Sequence, residues 1–392
     1  MSTSASPLRV AVIGWGNFFE HIHEQTLRDL IDEGRVGLQA VCVRSPDTRA
    51  AITARCPAVY DTADAERVLA DPEVDAILIG APQSVQARYA LAAVEAGKYV
   101  YVEKPLFAEA ADTGREPAAF HADFAAREPA ASRLCAVGLN KRFAPAYVEL
   151  RERCRTQWGG VRHLQLTVVD DAWRWGARYP DGFLLWLDLC HWLDLARWFT
   201  DAEVDRLSCL EPQPNDAQVT LVMSDGAVVS ILLSGNGTMD MCKEELRVIT
   251  AGRRCATVSD FVEMEVFGGD EPEVRNWPAN RQTGGDEQTA CTIDTGGLTA
   301  FRAVRRAVFD RFSATRQSDP AGDEQVRRNI PNFMRPQGWN ASVRAFVTAA
   351  SAGEGLQQAA SYHDAYIAYR LLDTVRASIA ADGRFVTVPP LV

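Results

Sequence analysis

The feature that most constrains this chain is an apolar run, Leu8–Ile13, that ends directly in Gly14-Trp15-Gly16. A buried strand that delivers two spaced glycines into a helix exposes backbone N–H groups at the carboxyl edge of a sheet. That is how a pyrophosphate is held. Gly14 suits the tight turn and Gly16 the close approach of backbone to phosphate, with Trp15, Asn17 and Phe18 completing the predicted cofactor contact. Phe19 stands where GxGxxG has its third glycine, so strand and helix must pack differently here, or the turn is an ordinary strand–helix junction.

The pattern of the amino-terminal third favours the phosphate turn. Strand-like runs at Leu38–Val43, Val74–Ile79, Tyr99–Val102 and Leu134–Leu139 alternate with helical stretches at Glu20–Glu33 and Gln86–Ala96. This predicts a Rossmann-like α/β dinucleotide-binding domain over residues 1–140, its parallel sheet covered on both faces. Later strand signals lie at Arg162–Val169, Gln218–Met223, Val228–Leu233, Glu245–Ile249, Cys255–Val258 and Val262–Phe267. Helices are predicted at Phe183–Phe199, Ala341–Ala350 and Tyr362–Ile379, and a polar loop at Ser313–Gln325. Residues 141–392 thus read as an α+β substrate and oligomerisation domain with a large, mainly antiparallel sheet, its C-terminal helices able to pack back on the first domain.

Composition narrows the partners. The chain has 392 residues, with 52 acidic side chains against 41 Lys and Arg, a net charge of −11. Such a balance argues against non-specific nucleic-acid binding and against anionic membranes. A hydrophobic content of 47% excludes disorder over the whole chain. The nine cysteines form no CxxC pair, so no metal site and no disulfide framework is indicated. With no apolar leader and no membrane span, the expectation is a cytoplasmic protein.

The second strand end reads Val43-Arg44-Ser45, without the acid that usually receives a ribose 2′-OH. Arg44 and Ser45 suit a 2′-phosphate, which favours NADP over NAD, although Arg44 would also stack on adenine. At the end of the strand Tyr99–Val102 comes Glu103-Lys104-Pro105. A lysine there can bind a substrate hydroxyl or stabilise an alkoxide as hydride leaves, with Glu103 orienting it. In the apolar helix Phe183–Phe199, Asp188, His191, Asp194 and Arg197 recur every three residues as one polar stripe. His191 could exchange a substrate hydroxyl proton with Asp188 fixing it, while Asp194 and Arg197 are expected to pair at i,i+3.

Taken together these pieces resemble the Gfo/Idh/MocA oxidoreductase family. The matching segments are Gly14-Trp15-Gly16, Ala81-Pro82-Gln83, Glu95-Ala96-Gly97-Lys98, Glu103-Lys104-Pro105, Gly138-Leu139-Asn140-Lys141-Arg142-Phe143-Ala144-Pro145 and His191-Trp192-Leu193-Asp194, in the family's order. The resemblance implies that Ala81, Pro82, Glu103 and Lys104 join the cofactor site. It gives catalytic roles to Lys104 and to a helical Asp–His pair. It also implies an oligomer, a homodimer or homotetramer, formed through the large sheet. The family's aspartate usually precedes the histidine by four residues, whereas here Leu187 stands there and Asp188 lies three before. Gln86 replaces a usual histidine. Substrate contacts are expected from Lys104, Arg142, Trp175, Tyr179, Asp188 and His191, with Trp173 and Arg174 beside them.

The function implied is reversible NAD(P)-dependent oxidation of a secondary alcohol on a sugar, aminosugar or cyclitol. Two other uses fit the same residues: a non-catalytic dinucleotide and sugar sensor or scaffold, and an enzyme that oxidises its sugar transiently during elimination or hydrolysis.

Overall fold

The computed structural model describes residues 6–170, 184–238, 241–277, 297–299, 301–303, 305–306 and 335–390. Trp173, Arg174, Trp175, Tyr179 and the Ser313–Gln325 stretch lie outside the described residues. The chain forms two compact units, Met1–Asn140 with Trp339–Tyr369, and Lys141–Gly338 with Arg370–Val392.

The first unit is built on β1 (Leu8–Ile13), β2 (Val36–Cys42), β3 (Tyr60–Thr62), β4 (Ala76–Ile79), β5 (Tyr99–Val102) and β6 (Cys135–Val137). They lie in the order β3-β2-β1-β4-β5-β6, and every neighbouring pair is parallel. This is the doubly wound Rossmann-like arrangement, whose chain order reverses between β1 and β4. The strands read as near-continuous Val, Ile and Ala because both faces are covered; β4 is buried at all four positions. The short, polar β3 gave no apolar signal in the sequence.

Around this sheet lie α1 (Asn17–Ile22), α2 (Glu24–Asp32), α3 (Pro46–Arg55), α4 (Ala65–Ala70), α5 (Gln83–Glu95), α6 (Ala110–Thr113), α7 (Pro117–Ala125) and α8 (Ala130–Leu134). The single helix expected over Glu20–Glu33 is thus two helices, broken at His23. Late residues complete the unit. Helix α11 (Trp339–Ser351) lies against α2, β1 and β5. Its Asn340 Nδ2 donates to Thr26 Oγ1 at 2.9 Å, and its Arg344 forks onto Glu33 at 2.8 and 2.9 Å. Val137 N donates to Ala360 O at 2.9 Å, bridging the segment before helix α12 (Tyr362–Ala380) to β6.

The second unit carries a nine-stranded sheet. Its strands are β7 (Val161–Val169), β8 (Val204–Gln213), β9 (Asp216–Met223), β10 (Val228–Ser234), β11 (Glu244–Thr250), β12 (Cys255–Ser259), β13 (Glu263–Phe267), β14 (Glu273–Asn276) and β15 (Val386–Thr387). The order is β14-β13-β12-β11-β7-β10-β9-β8-β15. Among the described strands of this sheet only β7 and β10 pair in parallel; the other pairs are antiparallel. Burial alternates along the strands, so that Ala217, Val219, Leu221 and Met223 of β9 face inward with Val229, Ile231 and Leu233 of β10. Helices α9 (Pro145–Thr156) and α10 (Leu189–Thr200) supply apolar cover through Leu150, Leu189 and Leu193.

The apolar run that begins at Phe183 is not one uniform helix. Leu184–Asp188 is a π-turn, and α10 starts after it. A π-turn absorbs an extra residue into a helix, and such turns are frequent at functional positions. Here it ends on Asp188, the residue whose spacing to His191 departs from the family pattern. Among the described residues no helix is long and apolar enough to cross a membrane. Among the same residues no group of three His, Cys, Asp or Glu is arranged to hold a metal.

Candidate active site

In the first unit the candidate residues gather at the carboxyl edge of the parallel sheet. Gly14 turns the chain with φ +85°, and a Cβ there would stand 2.5 Å from the backbone N and Cα of Ala81. Only glycine meets both conditions. The turn therefore rests directly on the segment after β4, bringing together two positions assigned to the cofactor. Gly16 differs: nothing lies within 4 Å of its missing Cβ. It is exposed, as are Asn17 and Phe18, and no side chain caps α1. Bare backbone facing open space at this point is a cradle that a larger residue 16 would fill. The turn fits a dinucleotide pyrophosphate.

Phe19 takes the place of the third glycine by borrowing room from the next strand. A Cβ on Gly80 would lie 3.0 Å from Phe19 Cδ2 and 2.8 Å from Gly14 O. The glycine that permits close packing has moved from the helix to the end of β4. The Trp15 side chain is buried, its ring centroid 4.7 Å from that of Phe19 and its Nε1 donating to Glu24 Oε2 at 3.1 Å. Glu24 also takes the Arg55 fork at 2.8 and 3.0 Å. The indole is thus directed into a buried ion-pair network beneath the turn.

At the end of β2, Arg44 and Ser45 are exposed. Ser45 Oγ accepts from Thr48 N at 3.3 Å and so caps α3. Arg49 Nη1 donates to the carbonyls of Val43 and Arg44 at 2.7 and 3.0 Å, fixing the strand end that presents Arg44. Ala81 is buried, and exposed Pro82 is the N-cap of α5. Gln86 Nε2 donates to Ala81 O at 2.9 Å, locking this segment from inside.

At the end of β5, the Glu103 carboxylate is buried and His23 Nε2 meets its Oε1 at 2.6 Å. A Cβ on Gly138 would lie 3.1 Å from both carboxylate oxygens. Lys104 is half-buried and precedes a cis bond to Pro105. His23 is the residue that sequence reasoning missed. Its signal was its place on the apolar face of an otherwise polar run, spaced four residues from Phe19 and Leu27. A separate cavity of about 820 Å³ opens at the opposite, amino edge of the sheet, lined by Arg9, Asp75 and Lys98 among others, away from these groups.

In the second unit, Arg142 donates from Nε to Asp194 Oδ2 at 2.8 Å and from Nη2 to Oδ1 at 2.5 Å. Both side chains are buried. Asp194 was expected on Arg197. Instead both Asp194 oxygens take Arg142, and Arg197 forks onto Glu203 at 2.7 Å twice. Asp194 is 1% exposed and both its oxygens match the planar Arg142 fork, whereas Arg197, its side chain 10% exposed, reaches the exposed Glu203. Lys141 is bonded to Glu244, whose other oxygen accepts from Tyr147 OH at 2.8 Å. The Lys141 ammonium lies over the Trp192 and Phe261 rings at 5.2 and 4.9 Å. Burial lowers the Lys141 pKa while the charges of Glu244 and Asp188 oppose that shift, which brings half-exposed Asp188 into the field of this lysine. His191 is buried in the first turn of α10.

Residues 8–119 match the profile of an oxidoreductase family with an NAD-binding Rossmann fold, Gfo/Idh/MocA. The match lies within the first unit. Among curated proteins, the chain is 34% identical over 148 residues to inositol 2-dehydrogenase 1 of Saccharopolyspora erythraea, covering 37% of this chain and 40% of that protein. It is 31% identical over 150 residues to scyllo-inositol 2-dehydrogenase (NAD(+)) of Bacillus subtilis, covering 37% and 40%. The chain thus spans about two-fifths of the length of these curated relatives. The fold extends further. A crystal structure of scyllo-inositol dehydrogenase from Lactobacillus casei, solved with NAD(H) and scyllo-inositol, superposes with TM-score 0.67 over 97% of this chain and 99% of its own, at 13% identity. The fold of that dehydrogenase is therefore shared along nearly the whole chain, while detectable sequence identity is confined to a part of it.

Proposed function

We propose that this chain is an NAD(P)-dependent dehydrogenase that moves hydride between the nicotinamide and a secondary alcohol or ketone of a sugar, aminosugar or cyclitol. One observation carries the reading: the Gly14 turn, its Ala81 support and the Glu103-Lys104-Pro105 segment stand together at the carboxyl edge of one parallel sheet. Relatives named as inositol dehydrogenases support a polyhydroxylated substrate.

Gly14, Gly16, Asn17 and Phe18 would hold the pyrophosphate through their backbone, with Ala81, Pro82 and Glu103 shaping the adjoining surface. When bound, the nicotinamide supplies the hydride acceptor. Lys104 would donate to the alcohol oxygen and steady the negative charge that grows on it. His191 would take the hydroxyl proton, with Asp188 supplying a nearby negative charge that favours the imidazolium so formed. Arg142 would support this region through Asp194, keeping α10 in place.

Arg44 supports NADP over NAD, because a guanidinium at this strand end pairs with a 2′-phosphate and no carboxylate there competes. We infer a cytoplasmic homodimer or homotetramer. The eight described cysteines are all free thiols, which suits a reducing compartment, and Leu232 and Ile249 project exposed from the large sheet, which suits a subunit contact.

The test is absorbance of the reduced nicotinamide with a panel of inositols, sugars and aminosugars, using both cofactors. Turnover should fall by a factor of about 100 or more in Lys104→Ala, with folding intact. Arg44→Ala should cost activity with NADP and little with NAD. Wild type that retains cofactor tightly yet turns over no alcohol would overturn the dehydrogenase reading.

A further inference from the structure

His23 occupies the break between α1 and α2, with φ −108° and ψ −27°. Its ring is packed among Phe18, Phe19, Tyr101 and Trp339, at centroid distances of 5.9, 5.3, 6.0 and 5.7 Å. His23 is 2% exposed. Within that cage one ring atom is engaged: Nε2 meets Glu103 Oε1 at 2.6 Å. Nδ1 is buried with no hydrogen-bond partner. A buried N–H without an acceptor costs more than a bare lone pair, so the proton belongs on Nε2 and is donated to the carboxylate.

Glu103 is equally confined. It lies at the end of β5, against the face of Gly138 that has no side chain. The next residue in the chain is Lys104. On the other side, His23 follows directly on α1, which begins at the Gly14–Gly16 turn. A single hydrogen bond therefore ties the two segments on which the proposed reaction depends.

We propose that His23 is a positioning residue: by holding the Glu103 carboxylate it fixes the Lys104 end of β5 to the glycine turn, so that the reactive ammonium and the pyrophosphate cradle keep one geometry. This rests on the dehydrogenase reading for its purpose, not for its physics. Removing the imidazole donor leaves the buried Glu103 carboxylate free to turn away from its place beside Gly138, and that change alters the field at Lys104. Glu24, the next residue in the chain, is already occupied by Trp15 and Arg55.

The chain makes a clean test possible, because it has only four lysines: Lys98, Lys104, Lys141 and Lys243. Lys98 is bonded to the carbonyls of Asp71 and Val74, Lys141 to Glu244 and Lys243 to Asp170. Reductive ¹³C-methylation of the full chain gives one side-chain NMR signal per lysine, assigned for Lys104 by Lys104→Arg. The titration midpoint of that signal should move by about half a pH unit or more in His23→Leu, and return toward wild type in His23→Gln, which keeps a donor for Glu103. The signals of Lys98, Lys141 and Lys243 should stay in place. A Lys104 signal that does not move in folded His23→Leu, or four signals that move together, would overturn the proposal. If His23→Leu does not fold, Glu103→Gln carries the test: the Lys104 and His23 resonances must both shift, and their constancy overturns the tie. No substrate or turnover enters the measurement. An unmoved Lys104 in an active enzyme removes the tie alone, and an inactive wild type removes the dehydrogenase reading alone.

Discussion

The ring of Phe19 fills the space that a side chain on residue 80 would need: a Cβ on Gly80 would come within 3.0 Å of Phe19 Cδ2. The chain has exchanged a glycine in its first helix for one at the end of the neighbouring strand, and the exchange keeps helix and sheet in contact with a bulky residue between them.

Gly80→Ala should therefore act as overpacking, because the added methyl also meets Gly14 O at 2.8 Å. The expected cost is about 1–3 kcal/mol in urea unfolding. Since Gly14 carries the turn, cofactor titration should weaken in parallel. Wild-type stability in this variant would show that the turn has slack which the close contacts deny.

The Arg142–Asp194 pair offers a second test. Arg142→Met removes the two hydrogen bonds that Arg142 gives to a carboxylate that is 1% exposed. Breaking a buried pair by removing one partner costs about 3–5 kcal/mol. Urea unfolding of Arg142→Met and of the double variant with Asp194→Leu should differ, the double variant recovering stability. Equal losses would mean that the arginine matters for something other than this carboxylate.

Acid sensitivity is expected from Glu33. The Arg344 guanidinium bonded to it holds its carboxyl below the ordinary 4.5. A carboxylate with a lowered pKa in the folded state releases its proton more readily there, so the unfolded chain binds more protons in acid. Its contribution to stability is present above about pH 4.5 and is lost as pH falls through the lower folded value. Because α11 is tied to α2 by this pair, Glu33→Gln should flatten the decline in thermal midpoint below that pH. An unchanged slope would assign acid unfolding to other groups.

The buried thiols give the fourth prediction. Burial pushes Cys42 and Cys56 up to about 11, and Cys135, Cys154 and Cys209 up to about 12. The thiolate is the reactive form. At neutral pH these five should resist a thiol-specific disulfide reagent in native protein and react when urea unfolds the chain. Rapid reaction of any of them without unfolding would place it nearer solvent than its packing implies.

Much of the fold is legible in the chain alone. Leu8–Ile13 and Tyr99–Val102 are apolar runs bounded by turn residues, and runs of this kind fix the strands of a buried parallel sheet. Gly14, Gly16 and the Glu103-Lys104-Pro105 segment announced a carboxyl-edge site because glycine and a strand-end lysine have few other uses there. The reading failed where a side chain's partner lies far along the chain. Asp194 is three residues from Arg197 and 52 from Arg142, yet both its oxygens take Arg142.

The sequence by itself determined the kind of sheet and the glycine turn, since these depend on local periodicity and on what glycine alone permits. Only the tertiary structure decided which groups hold which. Phe19 is tolerated because Gly80 lies across from it, and His23 matters because Glu103, 80 residues away, is a buried carboxylate that it bonds. Partnerships of that kind are set by burial, where every charge and donor must find a match, and burial is a property of the folded chain.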